Sequence, residues 1–278
     1  MLMDEVGLAW VFRDDDWTAC ADTLAKADYP EEFALSTYLD ADAVAAACLA
    51  GFMPMSSRFT VHPGFPYGKH ESSIQGASGE EAEIRVFYTP KLHLHRCVLD
   101  PVHTRIRSTT RRACGNFQVS VNRAFDETMA ACIDTHGDGW LTPPLTRVFS
   151  ELHIDRASRQ VKFISIELWK DDALVAGELG YAAGGAYASL SGFRSLSGAG
   201  TVQLAALAGI LSDSGYSVWD LGMPMDYKTA LGGHMVRRQE YLPLLRDAYL
   251  QLPDKTLDGT MEPAPVRLPF ACTSSGCS

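Results

Sequence analysis

Asp220 sits in a short apolar run, with Val218, Trp219 and Leu221 around it. A carboxylate on a buried strand must be paired, hydrogen-bonded or chemically engaged, because an uncompensated charge is expensive away from water. Two readings stay open for it: a structural acid bonded to loop amides, or a functional one. A second feature is electrostatic. Between Pro101 and Phe125 the chain carries five arginines (Arg105, Arg107, Arg111, Arg112 and Arg123) and no acid, in a protein of net charge −10. Such an island is either a solvated helix face or a surface for phosphates. His93 and His95 have a spacing that some metal sites use, but no nearby Cys or acid completes a set, so no metal is expected. Gly198 and Gly200, ahead of a helical pattern, could aim backbone N–H groups at a phosphate. The chain has no P-loop, no G-x-G-x-x-G and no G-x-S-x-G.

These groups need elements to hold them. Val161–Trp169 alternates as a strand, Lys170-Asp171-Asp172 turns it, and Ala173–Tyr181 returns. Gly184-Gly185 leads into a strand over Ala186–Leu190, a helix over Thr201–Ser212 and a strand over Tyr216–Leu221. A last helix covers Tyr241–Tyr249. Upstream, Asp40 is a good N-cap for a helix over Ala41–Leu49, and Gly51 suits its end. Two amphipathic helices flank residues 136–140, the second opening at Pro143-Pro144. Residues 1–28 read as an irregular acidic lead-in, with Asp14–Asp16 a solvated run or a helix start. The Gly-, Ser- and Pro-rich stretch 56–82 reads as a loop or linker.

The predicted fold class is α/β (α+β): an acetyltransferase-like mixed sheet flanked by helices, with a small N-terminal domain. The expected division is 1–85, 86–255 and a loose tail over 256–278. With 278 residues, 46% hydrophobic and 21% charged, the chain is globular. The acidic balance excludes a wholesale nucleic-acid-binding coat. No apolar run is long enough to span a membrane, so no membrane partner is expected. The N-terminal residues carry acids where a signal peptide needs bases, and the seven cysteines are scattered without a C-x-x-C. Both point to a cytoplasmic protein with reduced thiols.

Gly51-Phe52-Met53-Pro54, Phe87-Tyr88-Thr89-Pro90, Asn122-Arg123-Ala124-Phe125, Ser165-Ile166-Glu167-Leu168-Trp169 and Trp219-Asp220-Leu221-Gly222, taken in order with shorter motifs between Phe33 and Leu245, resemble the leucyl/phenylalanyl-tRNA–protein transferases. Gly51-Phe52-Met53-Pro54 is similar to the family's G-x-F-P-W, and Phe87-Tyr88-Thr89-Pro90 to its W-W-S-P. Val121–Phe125 resembles N-x-A-F, and Gly139-Trp140-Leu141 resembles G-T-W-I. Ser165-Ile166-Glu167-Leu168-Trp169 matches S-[IV]-E-x-W in full. Trp219–Gly222 falls at I-D-x-Q, and Ala230–Gly233 at S-L-G-A.

The resemblance implies transfer of an aminoacyl group, of Leu or Phe type, from the tRNA 3′ end to the α-amine of a protein N-terminus beginning with Lys or Arg. The product would be marked for degradation. It implies no cofactor and no acyl-CoA, and Arg194 is in any case wrongly spaced from Gly198 and Gly200 for an acyl-CoA phosphate turn. Asp220 would be the catalytic-site acid that orients or deprotonates the acceptor amine. Trp140 would stack on the terminal adenosine, while Arg105, Arg107, Arg111 and Arg112 would hold phosphates. A donor side-chain pocket would fall at Glu178, Leu190, Leu207, Leu211, Trp219 and Gly222. Three positions depart from the pattern. Leu190 replaces a catalytic-site Glu, Gly222 replaces a catalytic-site Gln, and Glu178 stands where the family has an apolar side chain, unless its register turns it outward. A relative that binds tRNA or protein N-termini without transfer is therefore the alternative.

Overall fold

The computed structural model describes residues 1–61 and 83–269. Its contacts divide the chain into two compact units, residues 1–92 with 137–148, and residues 93–136 with the remainder from 149.

In the first unit, β1 (Leu2–Met3), β2 (Ala9–Trp10) and β3 (Ala34–Leu35) form a small sheet. Helix α1 (Trp17–Lys26) lies in the stretch expected to be irregular. Its start is set by Asp16, whose carboxylate accepts from the Thr18 and Ala19 N–H groups, so the acidic run is a helix cap. Trp17 is buried edge-on against Phe52 and Tyr88, at ring distances of 5.4 and 5.8 Å. Helix α2 (Ala41–Leu49) has the predicted bounds, with Asp40 accepting from Ala43 N–H. Strands β4 (Ser56–Val61) and β5 (Glu83–Tyr88) pair antiparallel. The first six residues of the expected loop are therefore strand, paired along their whole length with β5 and buried at both ends, Ser56 and Val61. The rest of that loop lies outside the described residues.

In the second unit the chain runs through β6 (His95–Leu99), α3 (Ser108–Ala113), β7 (Gln118–Val121) and α4 (Phe125–His136). Helix α5 (Pro143–Ile154) begins in the first unit and ends in the second. Then follow β8 (Lys162–Lys170), β9 (Ala173–Ala183), β10 (Ala186–Arg194), α6 (Ala199–Asp213), β11 (Val218–Asp220), α7 (Asp226–Ala230), β12 (His234–Arg237), α8 (Arg238–Tyr249) and β13 (Met261–Pro265). Eight described strands form one mixed sheet in the order β12-β6-β11-β10-β9-β8-β7-β13. The α+β architecture is thus a mixed sheet flanked by helices. The β8–β9 turn places Asp171 and Asp172 at φ +49° and +63°, as a tight two-residue hairpin turn requires. Part of the expected loose tail is ordered as β13, which covers the open edge of β7.

Alternate residues of β8 face opposite ways. Ile164 and Ile166 pack with Leu207 and Leu211 of α6 in the main core, which also holds Tyr187 and Trp219. Phe163 meets Phe149 of α5, ring to ring at 4.6 Å. The strand is buried on both faces, consistent with its near-continuous apolar sequence.

Candidate functional site

Strands β10 and β11 are the parallel pair of this sheet, joined through α6. A parallel pair needs such a crossover, and the space beyond the carboxyl ends of its strands is where α/β sheets open. Their last paired residues are Ala188 and Asp220. Beyond that pair β10 continues alone alongside β9 to Arg194, with a bulge that leaves Leu190 between Ser189 and Ser191. The chain after Asp220 instead turns away through Gly222. Asp220 and Gly222, in one turn, and Leu190, far earlier in the chain, all border this parting of the strands.

Asp220 is 1% exposed. One carboxylate oxygen, Oδ1, accepts the Gly222 N–H at 2.8 Å, closing a tight Asx-type turn. The other, Oδ2, accepts from Tyr241 Oη at 2.7 Å and lies 3.0 Å from the Arg96 guanidinium. Arg96, also buried, donates to Nδ1 of His93 at 2.9 Å. Burial by itself would lower the Arg96 pKa, but Asp220 and Tyr241 overcompensate and hold it charged. Burial raises the Tyr241 phenol, and the Asp220 carboxylate raises it further. Asp220 is therefore a locked carboxylate that fixes a turn. Sequence reasoning missed Arg96 and Tyr241, which are 145 residues apart.

Glu178 points inward and is 4% exposed. Its Oε1 accepts from Tyr187 Oη at 2.9 Å and Ser189 Oγ at 2.7 Å, and its Oε2 from Gln203 Nε2 at 3.1 Å. Trp219 Nε1 donates to the same Ser189 Oγ at 3.0 Å. Tyr187 reaches Glu178 only because residue 180 is glycine; a Cβ there would fall 2.2 Å from the phenolic oxygen. Burial raises the Glu178 pKa against the pull of its three donors. Leu207 and Leu211 lie fully buried in the α6 core, and Leu190 is half-buried.

Lys228 is a residue that sequence reasoning passed over. It sits half-buried on α7, and its ammonium donates to the carbonyls of Leu221 and Met223, the latter at 2.9 Å. Burial lowers its pKa, while Cys97, Asp220 and Glu178 pull it back up.

The four candidate phosphate ligands Arg105, Arg107, Arg111 and Arg112 are all exposed on and before α3. The fifth arginine of the island, Arg123, is engaged elsewhere: it pairs with Glu262 at 3.1 Å and lies over the Trp169 ring. Trp140 is half-buried in the first unit, where its carbonyl accepts from Ser56 N and Oγ. The adjoining loop is clipped to β4 by Arg58 and Asp138. His93 is buried and His95 exposed, so the two do not share an environment. Among the described residues no group of three or more His, Cys, Asp or Glu could hold a metal.

The sequence model of the leucyl/phenylalanyl-tRNA–protein transferase family matches residues 98–246, more than half of the chain. The chain belongs to this family. A leucyl/phenylalanyl-tRNA–protein transferase of Deinococcus radiodurans is 33% identical over 144 residues, covering 50% of this chain and 66% of the relative. Similarly named proteins of Chromohalobacter salexigens and Ralstonia pickettii are 29% and 31% identical over 163 residues, covering 57% and 55% of this chain and 61% and 64% of theirs. The matched stretch thus spans less than two thirds of each transferase's own length. It includes the parting of β10 and β11, Glu178, Asp220, Lys228 and the arginine island. No described helix is long and apolar enough to cross a membrane.

Proposed function

We propose that this protein is an aminoacyl-tRNA–protein transferase. It moves an aminoacyl group from the 3′ end of a tRNA to the N-terminal α-amine of a protein beginning with Lys or Arg, in the cytoplasm, and so marks that protein for degradation. Membership of the family across residues 98–246 is the observation that carries this reading. The chemistry asks little of the protein. An aminoacyl ester is already activated, so most of the rate comes from holding amine and ester together and accommodating charge and proton movement. Asp220 contributes by fixing the turn at the parted strands. The exposed Arg105, Arg107, Arg111 and Arg112 hold tRNA phosphates. Trp140, in the first unit, offers a ring on which a base stacks. Glu178, held by Tyr187, Ser189 and Gln203, borders a donor side-chain pocket for an amino acid of Leu or Phe type.

The test is transfer from a mixed pool of charged tRNAs to peptides of varied N-terminus, read by mass. A product one residue longer is expected, and its mass identifies the donor. A second reading, a relative that binds without transferring, is favoured by the aliphatic Leu190 and by the full engagement of Asp220. tRNA binding without any extended peptide would establish it. In the same binding assay, changing Arg105 and Arg107 together to Ala should weaken affinity and flatten its salt dependence by roughly one unit of slope per lost phosphate contact.

A further inference from the structure

The ammonium of Lys228 stands beside the parting of β10 and β11 without a carboxylate partner of its own among the described residues. It is anchored on two neutral backbone carbonyls, of Leu221 and Met223. Among the described residues no carboxylate lies within ion-pairing distance of it. Asp220, the nearest acid in sequence, is already committed to Arg96, Tyr241 and the Gly222 N–H. Glu178 is committed to Tyr187, Ser189 and Gln203. An ammonium has three N–H donors; two carbonyls take two, and the Tyr227 ring, its centroid 5.7 Å from the ammonium, lies beyond hydrogen-bond reach of the third. Beside it is Gly222, where a Cβ would meet no atom nearer than Lys228 Nζ at 4.0 Å. A charged donor held in place therefore stands beside the room that Gly222 leaves at the parting of β10 and β11.

We propose that Lys228 is a catalytic residue whose free N–H binds the carbonyl oxygen of the ester under attack. This rests on the transfer reaction proposed above. The acceptor's α-amine nitrogen bonds to the ester carbonyl carbon, and the carbonyl π electrons move onto its oxygen, where Lys228 donates. The intermediate collapses as the carbon–oxygen bond to the ribose breaks, and the proton shed by the amine ends on the ribose oxygen. Atoms and charge balance without a cofactor. Partial burial strengthens the interaction, because a preorganised donor in a site of low water content stabilises developing charge at no cost of reorganisation. The two carbonyl anchors keep the ammonium from following solvent. The acids Asp220 and Glu178 balance its charge from a distance without occupying its donor.

The experiment compares the parent with Lys228→Met and Lys228→Gln in steady-state transfer from charged tRNA to a peptide N-terminus. Lys228→Met should lower kcat by about 10²–10³ while leaving KM for charged tRNA within about threefold. Lys228→Gln, which keeps a neutral N–H donor, should fall between the parent and Lys228→Met. If Lys228→Met does not fold, Lys228→Gln alone decides. A folded variant within about twofold of the parent in kcat, or one changed only in KM, overturns the role of Lys228 and leaves the transferase reading standing. Absence of transfer by the parent itself overturns both.

Discussion

Two polar clusters are buried in the second unit, and they are built on opposite plans. Around Glu167 every strong group is answered. Its carboxylate accepts from the Ser120 and Ser165 hydroxyls and from the Ala124 N–H at the start of α4. Trp169 donates to Ser120 at 2.7 Å. Asn122, at φ +59°, accepts from Ser165 N and donates to the Leu257 and Gly259 carbonyls. At the parting of β10 and β11, by contrast, one cation is held by neutral carbonyls beside the room that Gly222 leaves. The S-[IV]-E-x-W and N-x-A-F motifs, which match the family pattern well, make the closed cluster that ties β7, β8, α4 and the chain near 258 together. The positions that depart from the pattern, Glu178, Leu190 and Gly222, border the open one. Those matched motifs build the frame, and the departures gather at the parting of the strands.

That contrast can be broken most severely by removing Arg96. Arg96→Met would leave Asp220 as a buried, uncompensated carboxylate, and urea denaturation should show a loss of about 3–5 kcal/mol. A loss below about 1 kcal/mol would mean that the turn at Gly222 does not depend on the ion pair. Glu167→Gln comes next. One acceptor oxygen becomes a donor facing hydroxyls and an amide, and the expected cost is about 1–3 kcal/mol, with no change specific to kcat in the transfer assay. A normal melting temperature with a collapsed kcat would move Glu167 into the site and erase the distinction. The smallest effect concerns pH. Burial raises the Glu178 pKa above its ordinary value of 4.5. The fold therefore favours the protonated acid, and the stability this group contributes is fullest below about 4.5 and declines as pH rises through its folded value. Glu178→Gln cannot ionise, so its urea midpoint relative to the parent should improve as pH rises above about 4.5. A constant difference would show that the folded and unfolded chains bind the Glu178 proton equally, so that burial does not shift it.

Much of this frame was legible in the sequence. Alternation gave away β8 and β9, paired aspartates marked their turn, and Asp40 placed α2 to the residue. These signals are local and carry their own periodicity. The strand β6 was not legible, because His95 and Arg96 interrupt it, although it lies inside the sheet between β11 and β12. Arg96 reads as a surface residue until the fold brings it against Asp220 and Tyr241. Lys228 was invisible for a similar reason. Its short helix has no pattern, and its importance lies in which carbonyls it reaches. The carboxylate of Asp220 was correctly read as needing partners, but no sequence rule could supply their names.

The turn at Gly222 has an evolutionary corollary. Its φ of +74° is a conformation that side chains other than glycine adopt only at about 1–2 kcal/mol. The Asp220 oxygen pins that conformation from one side, and the pairing of Gly222 O with Cys97 N pins it from the other. A long side chain such as Gln or Glu at 222 would have to strain a turn held at both ends. Variation at this site is channelled to the residues that approach from outside the turn. Helix α7, short and largely exposed, is the segment most free to supply new groups. Descendants of this chain would diversify by exchanging what stands at 228 sooner than by replacing Gly222.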